Sequence, residues 1–569
     1  MKRAVFILLS FALLFFSSIP TMYELSQKEN LKNRSFELVH NYYTDYHFYL
    51  SRIREGWEGR WTVTERYTSE PHAGSLIQFG YLLLGQASRF IPDSSFAVPA
   101  AYHVARFVFG FLLLAMIWHI AGTVTRTFFW RVVGFLLAAS ASTWPILVTL
   151  PDGSFRLGGY MPWWTVMDSL QRLTFVPHLL VGQTLILFLI ASLSNEAVVF
   201  KKWNWIPLGV VLFLLGVIFP PGLPVVGIAA GFMIIREAVE HHLWHKKMGD
   251  ILIWAKAHIG IRALIGLMGL PTILYFSRLL TQVPWRRLVE FDALNPTSFS
   301  VLEYAKALGP VLPLGIVFFV IALFFGGKRV RFLIVFVASW LAALIFLVIF
   351  QTQSPLRMTQ VGSHIPLGLL IAWGCERTMG FILRKKKIQK NIRTLAGIIV
   401  ILIPFAILVS AFATMHSSWL WQKDFIDQKV AAGWPVIPMR NYIVYPVTPF
   451  IEAIETLSSF PPSTIVLSEL TAGNYIPVIS GKRVYVGHDN TVDKEKKLIF
   501  VREFFAGTMD EAVASAWIGS AGITHVFVGP EEDEGGNGSV TPSKYHFLRE
   551  VYKNPTARVY EIDTEFKIQ

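Results

Sequence analysis

The chain has 569 residues, of which 53% are hydrophobic, with a mean hydropathy of +0.48, a net charge of +13 and one cysteine, Cys375. Soluble domains average about 45–50% apolar residues even with glycine counted. The excess here is gathered into runs of about 15–25 residues, the mark of membrane spans, and a single cysteine excludes an intrachain disulfide framework or a cysteine metal site. From Thr414 onward 14 Lys/Arg face 19 Asp/Glu, a balance of −5 that leaves +18 in residues 1–413. That basic excess lies in short loops between apolar runs, where it sets membrane orientation and does not point to nucleic acid.

In chain order the apolar runs predict spans at 4–21, 98–120, 129–149, 177–194, 206–219, 223–236, 260–280, 308–326, 331–351, 364–383 and 394–413, about eleven in all. The first follows Lys2 and Arg3, and the bulky Met22-Tyr23 after Pro20 argue for an uncleaved anchor over a signal peptide. With a cytoplasmic N-terminus, Arg126 and Arg131, Lys201 and Lys202, Lys246 and Lys247, Lys328 to Arg331 and "RKKKIQKNIR" (384–393) all fall on the cytoplasmic side. The stretch 206–236 splits at Pro220-Pro221-Gly222, and the charge pattern asks for two short crossings or a re-entrant hairpin.

The extracytoplasmic segments are then 22–97, 151–178, 281–307 and 352–364. The first carries "SLIQFGYLLLGQASRF", with Leu76, Phe79, Leu83, Leu84 and Ala87 at helical spacing, expected to lie along the membrane interface. Residues 414–569 change character. Strand-length runs (464–468, 483–487, 524–529, 557–562) alternate with helical patterns (492–505, 509–518), which predicts an extracytoplasmic α/β domain with a mainly parallel sheet. "EEDEGGNGS" (531–539) reads as a solvated loop.

Within the first loop, apolar positions 46, 49, 50, 53 and 57 predict a helix starting near Thr44. Thr44 would cap it, and Asp45 in its first turn would complement the helix dipole. Asp45 is equally a candidate reacting group, because it sits among aromatic residues beside His47, Arg52, Arg54, Glu70 and His72. Arg106, inside the second span, is costly there by about 2.5–3.5 kcal/mol and marks a site or a pair. Asp168, Arg172 and His178 form a second external polar cluster, and Trp163-Trp164 read as an interfacial belt. "SGKRVYVGHDNT" (480–491) holds no phosphate-binding fingerprint and reads as a strand with turns.

The pieces "DYHFYLSRIREG", "TSEPH", "FVPHLLVG" and "YIPVISGKRVYVGH", with the layout of one anchor, a long first external loop, many spans and a tail domain, resemble the GT-C superfamily of integral-membrane glycosyltransferases. These are akin to protein O-mannosyltransferases and aminoarabinose transferases, and the local text also resembles bacterial membrane proteins of the superfamily. The resemblance implies a polytopic α-helical membrane domain (1–413) with an extracytoplasmic α/β domain (414–569). It also implies transfer of a hexosyl or pentosyl group from a polyprenyl-phosphate donor to a glycan, lipid or protein acceptor outside the cytoplasmic membrane. Asp45 takes the general-base role, and Arg357 or His364 that of donor-phosphate contact. Arg52, Glu70, His72, Arg106, Asp168 and His178 are further substrate-binding candidates. The family's acidic pair is replaced by Asp45-Tyr46-His47, so a divalent metal is not favoured: residues two apart do not share a helix face. Two rivals are a lipid-linked sugar transporter or flippase, and a membrane-anchored binding protein acting through its tail.

Overall fold

The computed structural model describes residues 2–40, 42–160, 168–294, 300–350, 355–385, 389–439, 442–536, 540–541 and 543–563. Trp163-Trp164 and the last three residues of the segment 531–539 lie outside these. The chain forms two compact units, one of Met1–Pro20, Ala105–Tyr275 and Pro296–Gln422, the other of Thr21–Val104, Phe276–Asn295 and Lys423–Gln569.

The protein is helical and of integral-membrane type. Among the described residues six helices are long and apolar enough to cross a bilayer: Lys2–Asn30, Ser94–Val124, Gly222–Glu240, Met248–Leu279, Lys328–Phe350 and Lys390–Ala431. Four shorter apolar helices, Phe128–Ser140, Pro177–Leu193, Trp205–Ile218 and Val311–Phe325, accompany them. One expected span needs correction. The run 129–149 is helical only over Phe128–Ser140, and then becomes strand β1 (Pro145–Thr149), paired antiparallel with β2 (Phe155–Gly159). Pro145 disfavours helix in the residue before it, and Ile146, Val148 and Thr149 are β-branched. The intervening "PDGS" turns through Gly153 at φ +81°. The stretch 206–236 breaks at Phe219 to Pro221 into two helices, Trp205–Ile218 and Gly222–Glu240.

In the first unit the Phe128–Ser140 and His364–Arg384 helices approach through small residues. A Cβ on Gly368 would stand 2.9 Å from the Ala138 nitrogen, and one on Gly134 would stand 3.1 Å from the Ala372 Cβ. Two clusters of charges within this unit are paired. Glu237 meets Arg262 at 2.6 Å and His258 at 2.7 Å, and Arg331 meets Glu196 at 2.7 Å and Glu240 at 3.2 Å.

The second unit is built on a five-stranded sheet ordered β4-β3-β5-β7-β6, with β3 Ile465–Leu467, β4 Arg483–Val484, β5 His525–Val528, β6 Leu548–Lys553 and β7 Arg558–Ile562. The β3 strand is parallel to β4 and β5, while β7 is antiparallel to β5 and β6. The sheet is therefore mixed, and the mainly parallel expectation is corrected. The "LREVYK" segment makes a fifth strand whose exposed, charged face gave no clear apolar run. Period-two alternation divides the core. Leu467, Val526, Val528 and Tyr560 face the Lys494–Phe505 and Glu511–Ala521 helices. Val466, Phe527 and Val559 face the Thr448–Thr456 and Leu470–Ile479 helices, joined by Phe48 and Tyr67 of the first loop. The first loop thus supplies part of the sheet's core. Residues 531–536 also depart from expectation: they belong to a helix, Pro530–Gly536, and Glu532 is buried. Its two carboxylate oxygens accept from the Glu469 and Gly529 backbone N–H groups at 2.7 and 3.0 Å, which draws the segment onto the protein.

Candidate functional site

The Tyr43–Trp57 helix of the first loop starts one residue earlier than its periodicity indicates. Its N-cap is Tyr42, which makes no side-chain cap bond, so Thr44 is not the cap and lies inside the first turn with Asp45. Two glycines lock this helix onto its neighbour, Phe79–Ser88. A Cβ on Gly56 would collide with the Leu82 carbonyl, and one on Gly85 with the Ile53 carbonyl. The helix at 79–88 is thereby seated by Tyr81, Leu82 and Gly85 against protein.

Asp45 is half exposed, with 49% of its side chain open, and its Oδ1 lies 3.7 Å from Nε2 of His488. His488 is buried, and its ring stacks on Phe48 at 4.6 Å and 10°. Its Nδ1 accepts from the Asn490 backbone N–H at 3.2 Å, so in the neutral ring the proton sits on Nε2 and faces the carboxylate. The Nε2 atom has no hydrogen-bond partner among the described residues. Thr491 fixes the backbone. Its hydroxyl accepts from the Gly487 and His488 N–H groups at 3.2 and 3.3 Å and donates to the Tyr67 carbonyl at 2.6 Å. Gly487 and Gly473 meet face to face: a Cβ on Gly473 would strike the Val486 carbonyl, and one on Gly487 the Gly473 carbonyl. That close approach sets His488 beside the Leu470–Ile479 helix.

The same helix carries Asn474 and Tyr475, which organise a buried cluster behind Asp45. The Asn474 amide donates to the Thr44 carbonyl at 3.4 Å and presents Oδ1 to Nδ1 of His47 at 2.6 Å. The other His47 nitrogen contacts Glu37, whose second oxygen accepts from the Tyr475 hydroxyl at 3.0 Å. Burial pushes the Glu37 carboxyl up, but His47 and Tyr475 outweigh it and hold the group below its usual range. The first turn that presents Asp45 is thus tied to the tail through Asn474.

The chain path aligns with those of three solved structures at TM-scores just under 0.5. It aligns with an oligosaccharyltransferase of Archaeoglobus fulgidus, tethered to an acceptor peptide containing the NVT sequon, at TM-score 0.49 and 11% identity over 97% of this chain and 74% of that one. It aligns with ArnT from Cupriavidus metallidurans bound to undecaprenyl phosphate at TM-score 0.48 and 11% identity, covering 98% and 97% of the two chains. The apo form of that ArnT gives 0.48 and 10%, over 100% and 99%. No family model and no curated protein sequence matches.

The other expected site residues divide between the units. In the unit of Asp45, Arg52 is fully buried, with its guanidinium 2.6 Å from Glu65, donating to the Thr64 carbonyl and lying over the Phe48 ring at 4.3 Å. Glu70 pairs with Lys497 at 2.7 Å. His72 uses both nitrogens: Nε2 accepts from the Glu65 N–H at 2.8 Å and Nδ1 donates to the Glu70 carbonyl at 2.7 Å. In the other unit Asp168 caps the Ser169–Arg172 helix and accepts from the Ser418 hydroxyl at 2.8 Å. The charge of Arg172 acts on both Asp168 and His364. The Arg106 Nε donates to the Thr174 carbonyl at 2.6 Å. The His178 ring lies 6.4 Å from that of Phe219, and Arg357 stands in the short Pro355–Thr359 turn before the helix that His364 opens. Sequence reasoning missed His488, Asn474 and Glu37. The available signal was the "YIPVISGKRVYVGH" piece, which ends on His488.

Proposed function

We propose that the protein is a membrane glycosyltransferase. It moves a sugar from a polyprenyl-phosphate donor to an acceptor on the extracytoplasmic side of the cytoplasmic membrane. The observation that carries this reading is the half-exposed Asp45 carboxylate set beside the buried, oriented Nε2 of His488. The apolar helices and the resemblance of the first-loop and tail motifs support the substrate class.

In this reading the acceptor hydroxyl attacks the anomeric carbon. A new C–O bond forms there, the bond from that carbon to the phosphate oxygen breaks, and polyprenyl phosphate leaves with the electron pair. Asp45 takes the hydroxyl proton as general base. The leaving group is already an anion and needs positive charge more than a proton donor, the role the resemblance gives to Arg357. His488 acts as a positioning residue: its Nε2–H faces one carboxylate oxygen across 3.7 Å and leaves the other for the acceptor. The basic short loops between apolar runs support a topology in which Asp45 lies outside the cytoplasm.

The test is Asp45→Asn, purified into liposomes with a panel of polyprenyl-phosphate sugars, reading release of polyprenyl phosphate. Asparagine keeps the shape and cannot take the proton, so activity should fall by about 10²–10⁴-fold at normal expression and insertion. Full activity in this variant removes Asp45 as the base.

A further inference from the structure

Away from Asp45, the second unit holds a concavity of about 190 Å³ lined by Arg60, Thr64, Arg66, His72, Ser463 and Arg483, with Gly481 and Pro462 completing it. No carboxylate lines it. Behind the lining, two acids serve three arginines. Glu58 takes Arg54 at 3.0 Å, Arg60 at 3.7 Å and both terminal nitrogens of Arg66, while Glu55 takes the Arg66 Nε at 3.4 Å and Arg60 at 4.0 Å. Two further cations are held by neutral oxygens. Lys482 donates to the Ser458 and Phe460 carbonyls at 3.3 and 2.6 Å, and Arg483 to the Thr68 and Glu70 carbonyls at 3.1 and 2.7 Å. Glu65 and Glu70 lie near Arg483 but are engaged by Arg52 and Lys497. Five cations against two acids leave the site short of negative charge.

Among these groups burial pulls Arg66 down, but Glu55 and Glu58 outweigh it and Arg66 is raised. Burial lowers Arg54, Lys482 and Arg483 below their usual values, and repulsion from Arg66 adds to the effect at Arg54 and Lys482. Burial, with Arg483 adding to it, lowers His72, and both of its ring nitrogens are engaged by backbone groups, which leaves the arginines as the charged donors. The Nε of Arg483 is buried with no hydrogen-bond partner among the described residues. Gly481, at φ +73°, makes the crowding possible: a Cβ there would stand 2.6 Å from Glu58 Oε1, 2.9 Å from Arg54 Nε and 3.1 Å from an Arg66 terminal nitrogen. The "SGKR" turn, which matches no phosphate-binding loop, still brings Gly481 and Arg483 to one wall.

We infer that this concavity is a binding site for a phosphate group, either a free phosphate compound or a lipid headgroup, held by Arg60, Arg66 and Arg483 with the Thr64 and Ser463 hydroxyls at its edge. Guanidinium groups suit this ligand because their planar donors match phosphate oxygens two at a time. Binding is read without turnover, so the site stands or falls separately from the transferase reading.

The experiment is titration calorimetry on the full chain in neutral detergent at constant ionic strength. Inorganic phosphate serves in one arm and a short-chain phosphatidic acid in mixed micelles in the other, with matched chloride as blank. Arg60→Gln and Ser463→Asp, both at exposed positions, leave the pairs of Arg66 with Glu55 and Glu58 in place. Saturable binding in either arm, weakened about tenfold or more by both variants, supports the site. Binding in the first arm assigns a free phosphate compound, and binding in the second alone assigns a headgroup. No binding above chloride in both arms, or binding unchanged in both variants, overturns it.

Discussion

Glu469 offers a quantitative check on the second unit. It precedes the Leu470–Ile479 helix that carries Asn474 and Tyr475, and it is pushed up to about 7 by burial and by Glu531, with Arg502 opposing. Its unfolded value is 4.5. A carboxyl whose folded value is raised stabilises the fold fully below the unfolded value, and that contribution is lost as pH rises through the folded one. The loss therefore runs from about pH 4.5 to pH 7. A rise of roughly 2.5 units corresponds to about 3 kcal/mol in full, of which roughly 2 kcal/mol falls between pH 5 and pH 8. Glu469→Gln keeps the size and removes the charge, so its advantage over the wild type should grow by that amount across this interval. Hydrogen exchange at the β3 and β5 amides, corrected for intrinsic rates, reads this as a roughly thirtyfold gain in protection at pH 8 relative to pH 5. Equal pH dependence in the two proteins would refute the reasoning, because the charge would then have no cost in the folded state.

Three further outcomes follow from the Asp45 region. His488→Ala should lower transfer by about 10²-fold through misplacement of the carboxylate, while His488→Gln, with an amide N–H near the Nε2 position, recovers part of it in the same liposome assay; equal loss in both variants would deny the positioning role. Gly473→Ala drives a methyl into the Val486 carbonyl and should destabilise the unit by about 1–3 kcal/mol, seen as loss of protection in the Leu470–Ile479 helix. Asn474→Ala leaves His47 Nδ1 and the Thr44 carbonyl without this partner and should cost about 1–3 kcal/mol, read by urea denaturation; a cost near zero would mean that water replaces the amide freely.

Membrane character and most tail elements were legible in the linear text, because both are written in the spacing of apolar residues. Hydropathy located the long apolar helices, and strand-length apolar runs located β3, β4, β5 and β7. It failed where two signals conflict. The run 129–149 is apolar throughout, so hydropathy alone cannot see that Pro145 and its β-branched neighbours turn it into a hairpin. The acidic segment at 531 looked solvated, because a buried carboxylate held by two backbone N–H groups leaves no trace in composition.

Asp45 could be nominated from sequence because its neighbourhood is local: an acid in the first turn of an aromatic helix, next to a membrane anchor. His488 could not, since 443 residues separate the two and nothing in "RVYVGHDNT" announces a partner. Sequence decides which residues have the chemistry and which face of each helix or strand is apolar, since both depend only on side-chain type and spacing. Tertiary structure alone decides which of those residues meet. Here that choice rests in part on the contact of Gly473 with Gly487, where the lack of a side chain sets His488 beside the helix whose Asn474 bonds the first turn that carries Asp45.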